Sequence, residues 1–109
     1  MDEQALPFRV VLMTAGSAEE AERLAQALVG ERLAACVNIV GPIRSIYRWK
    51  GQVSDDAEHL LIAKTKAELL PRLAQRVREL HSYEVPEVLA LPLVYGWPPY
   101  LAWLQGETG

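Results

Sequence analysis

The chain has 109 residues, half of them hydrophobic and 23% charged, and a net charge of −3. That length and balance suit one domain over residues 1–109, and they argue against disorder and against a non-specific nucleic-acid binder, which needs a basic face. A single cysteine excludes an intrachain disulfide framework and a cysteine-rich zinc site within one chain.

The amino end, MDEQALPFRVVLM, carries acids where a signal peptide carries basic residues, and no apolar run reaches membrane-spanning length. A cytoplasmic protein with no membrane contact is expected. Residues 8–14 (FRVVLMT) are nearly continuously apolar with β-branched members, the pattern of a strand covered on both faces. After Ala15-Gly16, Ser17 and Glu20 fit a capping box: the serine accepts from the backbone of Glu20, whose carboxylate reaches back. Ala18, Ala21, Leu24, Ala25 and Leu28 recur at helical spacing, and Gly30 is placed to end that helix in a left-handed conformation.

The stretch over residues 31–53 (ERLAACVNIVGPIRSIYRWKGQV) organises the rest. Val37 and Ile39 alternate with Cys36, Asn38 and Val40. Gly41-Pro42 interrupts the ladder, because proline donates no hydrogen bond, and predicts a bulge or bend. Alternation resumes with Ile43, Ser45, Tyr47 and Trp49 one way and Arg44, Ile46 and Arg48 the other. Lys50-Gly51 offers a two-residue turn, which would set Arg48 against Val53, Arg44 against Ala57 and Ile43 against Glu58. The result is a long β-hairpin arm whose Tyr47 and Trp49 are too apolar to stay in water without a partner. Residues 55–58 are expected to be solvated, with the acids pairing diagonally with Arg44 and Arg48.

Residues 59–66 (HLLIAKTK) read as a buried strand that His59 begins. Pro71 would break a helix that started at Thr65, so the regular helix is expected near Pro71 after a loose first turn. Leu69, Leu70, Leu73, Ala74, Val77 and Leu80 form its apolar stripe. Residues 81–86 form a loop and residues 88–94 a last strand, in which Pro92 signals an edge, a bulge or an approaching end. Pro99 suits the first position of a short amphipathic helix over residues 100–104. The order β-α-β-β-α-β with a terminal helix implies an α+β, ferredoxin-like sandwich, both main helices on one sheet face. The other face then needs a cover, and further copies of the chain are the expected one.

No nucleophile, phosphate-binding loop or dinucleotide fingerprint assembles, so a non-enzymatic role is expected. The ferredoxin-like architecture hosts unrelated activities, so fold alone decides nothing. A polar set remains at element ends: Cys36, Tyr47, Trp49, Lys64, His81, Tyr83 and Glu87. Cys36, among small residues, suits close packing or, through its soft sulfur, Cu(I) or Hg(II). His81 suits either a helix-end cap or metal or anion recognition. Lys64, in an apolar strand, needs an acidic partner, for which Glu87 is a candidate, or a ligand anion. Tyr47, Trp49 and Tyr83 suit interface packing or the walls of a ligand cleft.

Residues 31–53, the strand with Lys64-Thr65, ELHSYEVPEVLALP and YLAWL, in this order and spacing, closely resemble the CutA family of divalent-cation tolerance proteins, over most of the chain. The resemblance implies a ferredoxin-like fold and a cytoplasmic homotrimer interlocked through its arms, akin to the PII signalling proteins. It also implies a response to copper and other divalent metals without an established reaction. Metal is then a possible ligand rather than a requirement for folding, and a protein partner is the alternative. Matching the family's motifs makes Cys36 and His81 the metal-ligand candidates, and Tyr47, Trp49, Lys64, Tyr83 and Glu87 the lining of a cleft between subunits. Members with a copper site carry a further cysteine and a second histidine, and this chain has Met13 and Leu80 at those positions.

Overall fold

The computed structural model describes residues 4–109. Strand β1 (Phe8–Ala15) leads to helix α1 (Ala18–Gly30), and the long pair β2 (Cys36–Trp49) and β3 (Gln52–Lys66) follows. A 3-10 turn (Ala67–Leu69), helix α2 (Leu70–Leu80), strand β4 (Val88–Pro92) and helix α3 (Pro98–Gly106) complete the chain. The strands form one sheet in the order β2-β3-β1-β4, antiparallel throughout, so β2 and β4 are its edges. This is the α+β, βαββαβ arrangement that the element order implies.

Alternation along β1 and β3 sends Val11, Met13, Ala15, Leu61 and Ala63 to one face, where they meet Leu24, Leu28, Leu73 and Val77 of α1 and α2 in the main core. The opposite face carries Val10, Leu12, Leu60, Ile62, Val40, Leu89 and Leu91. The strand pairings put these side by side, and the helices leave them half-buried or exposed. Leu89 is 56% and Leu91 47% exposed. Helix α3 packs against β3, with Leu104 buried outside the main core.

The arm is built as its sequence dictates. Lys50 and Gly51 have φ of 50° and 79°, the pair of left-handed residues that a tight hairpin turn needs. Arg48 faces Val53, Arg44 faces Ala57 and Ile43 faces Glu58. Between Val40 and Ile43 the register shifts, so that Gly41 and Pro42 together stand opposite His59. The extra residue inverts the alternation. Before it the odd-numbered Val37 and Ile39 lie on the helix side, whereas after it Ile43, Ser45, Tyr47 and Trp49 lie on the uncovered side, in register with Glu58, Asp56, Ser54 and Gln52.

Several local expectations are corrected. Gly30 is the last helical residue, and the left-handed conformation falls on Arg32 (φ 63°). There Arg32 N–H donates to Val29 O and Leu33 N–H to Leu28 O, which closes the helix end. Arg32 accepts this backbone because its guanidinium donates to the carbonyls of Gly106 (2.8 Å) and Gly109 (2.9 Å). Strand β3 runs unbroken from Gln52, so His59 is mid-strand and Glu58 is buried rather than solvated. Arg44 does pair with Asp55, whereas Arg48 turns to the Gly51 carbonyl instead of an acid. Strand β4 stops at Pro92, and Pro98, not Pro99, opens α3. The second helix follows expectation, with a 3-10 turn first and Pro71 in its first turn.

Candidate functional site

Along the arm, from Glu58 out to Trp49 beside the turn, a cleft of about 630 Å³ lies between the hairpin and the loop that follows α2. Its lining includes Tyr47, Trp49 and Glu58 from the hairpin, Thr14 from β1, and Tyr83, Glu84 and Glu87 from the loop. Tyr83 ties the two sides together, its hydroxyl donating to Glu58 Oε2 at 2.7 Å. Burial, and then that bond to a carboxylate, push the Tyr83 phenol well above its usual range. Tyr47 donates to Asp56 Oδ2 at 2.6 Å, and this bond raises its phenol too. Arg44, the basic lining residue, is held bidentate by Asp55 at 2.6 and 2.9 Å.

The loop keeps its place through a buried polar knot. Ser17 Oγ accepts from Glu20 N–H at 3.1 Å, as the capping box requires. The Glu20 carboxylate reaches one residue past Ser17, accepting from Gly16 N–H (3.2 Å), and also takes Ser82 N–H (2.7 Å). Burial alone would raise this carboxyl. The Ser82 and Gly16 donors outweigh it and hold the group below its ordinary range. His81 has a fully buried side chain 3.5 Å from Glu20. Tyr83 N–H donates to His81 Nδ1 (3.1 Å), which leaves the proton on Nε2, and Nε2–H donates to the Thr14 carbonyl (2.7 Å). Both ring nitrogens are thereby spent on the fold.

The sequence-derived candidates therefore divide. Tyr47, Trp49, Tyr83 and Glu87 share the cleft, and His81 stands behind it as a support for the loop. Cys36 and Lys64 lie elsewhere. They face each other across β2 and β3, four residues along β3 from the partner of Thr14, or about 13 Å. Lys64 donates to Asn38 Oδ1 instead of pairing with Glu87, and Cys36 Sγ contacts the same oxygen at 3.8 Å. Tyr100 of α3 is close by, its phenol raised by burial and then by Cys36. Among the described residues no cluster of three or more His, Cys, Asp or Glu side chains is arranged to hold a metal ion. Sequence reasoning gave Glu58 only a place in the solvated acidic run and Glu20 only its cap, and missed what each does here. The hairpin register alone sets Glu58 on the face of Tyr47, so the first was within reach. The reach of Glu20 to Ser82 spans 62 positions and leaves no local trace.

Residues 9–107 match the model of the CutA1 divalent ion tolerance protein family. The chain is 54% identical over 100 residues to the divalent-cation tolerance protein CutA of Thermus thermophilus, covering 92% of this chain and 97% of that one. It is 48% identical to the chloroplastic CutA of Arabidopsis thaliana, of which the match spans 57% of the length and 94% of this chain. A solved structure of the Thermus thermophilus protein superposes with a TM-score of 0.91 at 53% identity, covering 94% of this chain and 99% of that one. CutA1 from Oryza sativa gives 0.92 at 47% identity, covering 98% of each chain. With sequence, element order and sheet topology in agreement, the chain belongs to the CutA1 family of divalent ion tolerance proteins.

Proposed function

We propose that the protein is a non-catalytic cytoplasmic homotrimer of the divalent-cation response, which takes a metal ion or small ligand in the cleft along the arm once neighbouring subunits close it. The observation that carries this reading is the uncovered apolar face. Val40, Leu89 and Leu91 are exposed on one subunit, and their face runs along the hairpin onto Tyr47 and Trp49 of the cleft. Three copies related by a closed rotation would cover that face and both sheet edges.

The donors within one subunit do not fit a copper centre. His81 has no free nitrogen, Cys36 is remote, and Met13 and Leu80 supply no thiolate or second imidazole. A metal held by this protein would draw on the cleft carboxylates Glu58, Glu84 and Glu87, with donors from a second subunit. Titration with Cu(I), Cu(II) and Zn(II), comparing His81→Ala and Cys36→Ser, tests this. His81→Ala is expected to leave affinity unchanged, and absence of binding for all three ions removes the metal half of the proposal. Sedimentation at micromolar concentration tests the other half, because a folded single chain would sink the trimer.

A second reading, a PII-like trimer whose arms dock a protein partner, is favoured by Ile46 and Val53, each 64% exposed on the arm. Capture of a partner that responds to Ile46→Arg but not to chelator would support it.

A further inference from the structure

Glu58 opens onto the cleft yet is only 8% exposed, and among the described residues no cationic side chain pairs with it. Its hydrogen bond comes from the neutral Tyr83 hydroxyl, on Oε2 alone. Its other oxygen takes no hydrogen bond from the described residues and reaches open space, so a positive group in the cleft would face it directly. The rings of Tyr47, Trp49 and Tyr83 border the same space, with Glu84 and Glu87. Arg44, which could have neutralised the wall, is engaged by Asp55.

Ring faces carry negative potential and attract cations, but they are poor substitutes for the oxygen ligands that a hard divalent ion demands. A wall that mixes rings with carboxylates suits a cation with an apolar, weakly hydrated surface. Lys50 shows the same preference within the molecule. Its ammonium nitrogen sits 5.7 Å from the centre of the Trp49 ring and 3.5 Å from Glu84 Oε1. The cleft volume of about 630 Å³ is that of a small-molecule site.

We infer that this cleft binds a small organic ammonium cation, its alkyl groups against Tyr47 and Tyr83 and its charge facing Glu58. This rests on the cleft being the ligand site, as proposed above, and narrows the ligand to a chemical class.

Choline and its uncharged isostere 3,3-dimethyl-1-butanol, titrated into the full chain in the presence of EDTA, separate charge from shape. Binding is followed by calorimetry and by the Trp49 indole N–H resonance. Choline is expected to bind saturably and the alcohol at least about tenfold more weakly. Glu58→Gln, which still accepts from Tyr83, is expected to weaken choline at least about tenfold, and Lys50→Gln to strengthen it by removing a competing ammonium. Equal binding of the alcohol, or choline affinity unchanged in both Glu58→Gln and Tyr47→Leu with native spectra, overturns the inference. If Zn(II) shifts the cleft resonances and choline does not, the ammonium assignment fails while the cleft survives as a site. If neither shifts them, the cleft reading itself fails.

Discussion

Glu20 joins the start of α1, the end of β1 and the loop after α2 through one carboxylate, with Gly16 and Ser82 as its donors and His81 at its side. Hydrogen bonds to a buried charge are stronger than neutral ones, so Glu20→Gln is expected to cost about 1–3 kcal/mol at pH 7. The folded-state pKa lies below the ordinary 4.5, so the stabilisation is complete above 4.5 and is lost as pH falls through the folded value. Urea unfolding at pH 7 and pH 3 should therefore show the parent's advantage over Glu20→Gln narrowing at the lower pH. Only part of this residue was legible in the sequence. Ser17 and Glu20 announce a cap because both lie within one turn, whereas Ser82 meets Glu20 only through the tertiary fold. Lys64 shows the converse. Its need for a partner was readable, but cross-strand Asn38 was closer than the acid expected.

At the scale of the element, the hairpin turn and the bulge make separable demands. Gly51 holds φ at 79°, so Gly51→Ala is expected to cost about 1–2 kcal/mol, read by thermal unfolding, from the left-handed penalty alone. Gly41 is constrained by space. A Cβ there would run into the His59 ring, and Gly41→Ala is expected to cost about 1–3 kcal/mol by overpacking. In a double-mutant cycle, His59→Ala should recover much of that loss, whereas additivity would show that the contact is not the cause. The hairpin register was readable because a tight turn fixes pairing for every residue that follows it. The end of α1 was not, because a glycine was available at position 30 while two distant carbonyls made the left-handed backbone tolerable to Arg32.

For the molecule as a whole, sheet order followed from element order, because short connections and crossover handedness leave few alternatives. The cleft did not, because its two walls come from residues 25 positions apart, Glu58 and Tyr83, that only the sandwich brings together. The proposed assembly is testable on the same scale. Val40→Arg and Leu91→Arg change side chains already 45% and 47% exposed on one subunit, so circular dichroism should stay native. Sedimentation should nonetheless report a lower mass for both, and an unchanged mass would place any contact between copies elsewhere. The additional residue opposite His59 works as a half-step phase change along a strand whose ends belong to different environments. Deleting Pro42 would leave one residue opposite His59 and keep the rings where they are. Unbroken alternation from Val40 with both residues paired would instead turn Arg44, Ile46 and Arg48 to the uncovered side and the rings to the other. Parity at that one point, more than the identity of any ring, decides which side of the arm continues the uncovered face.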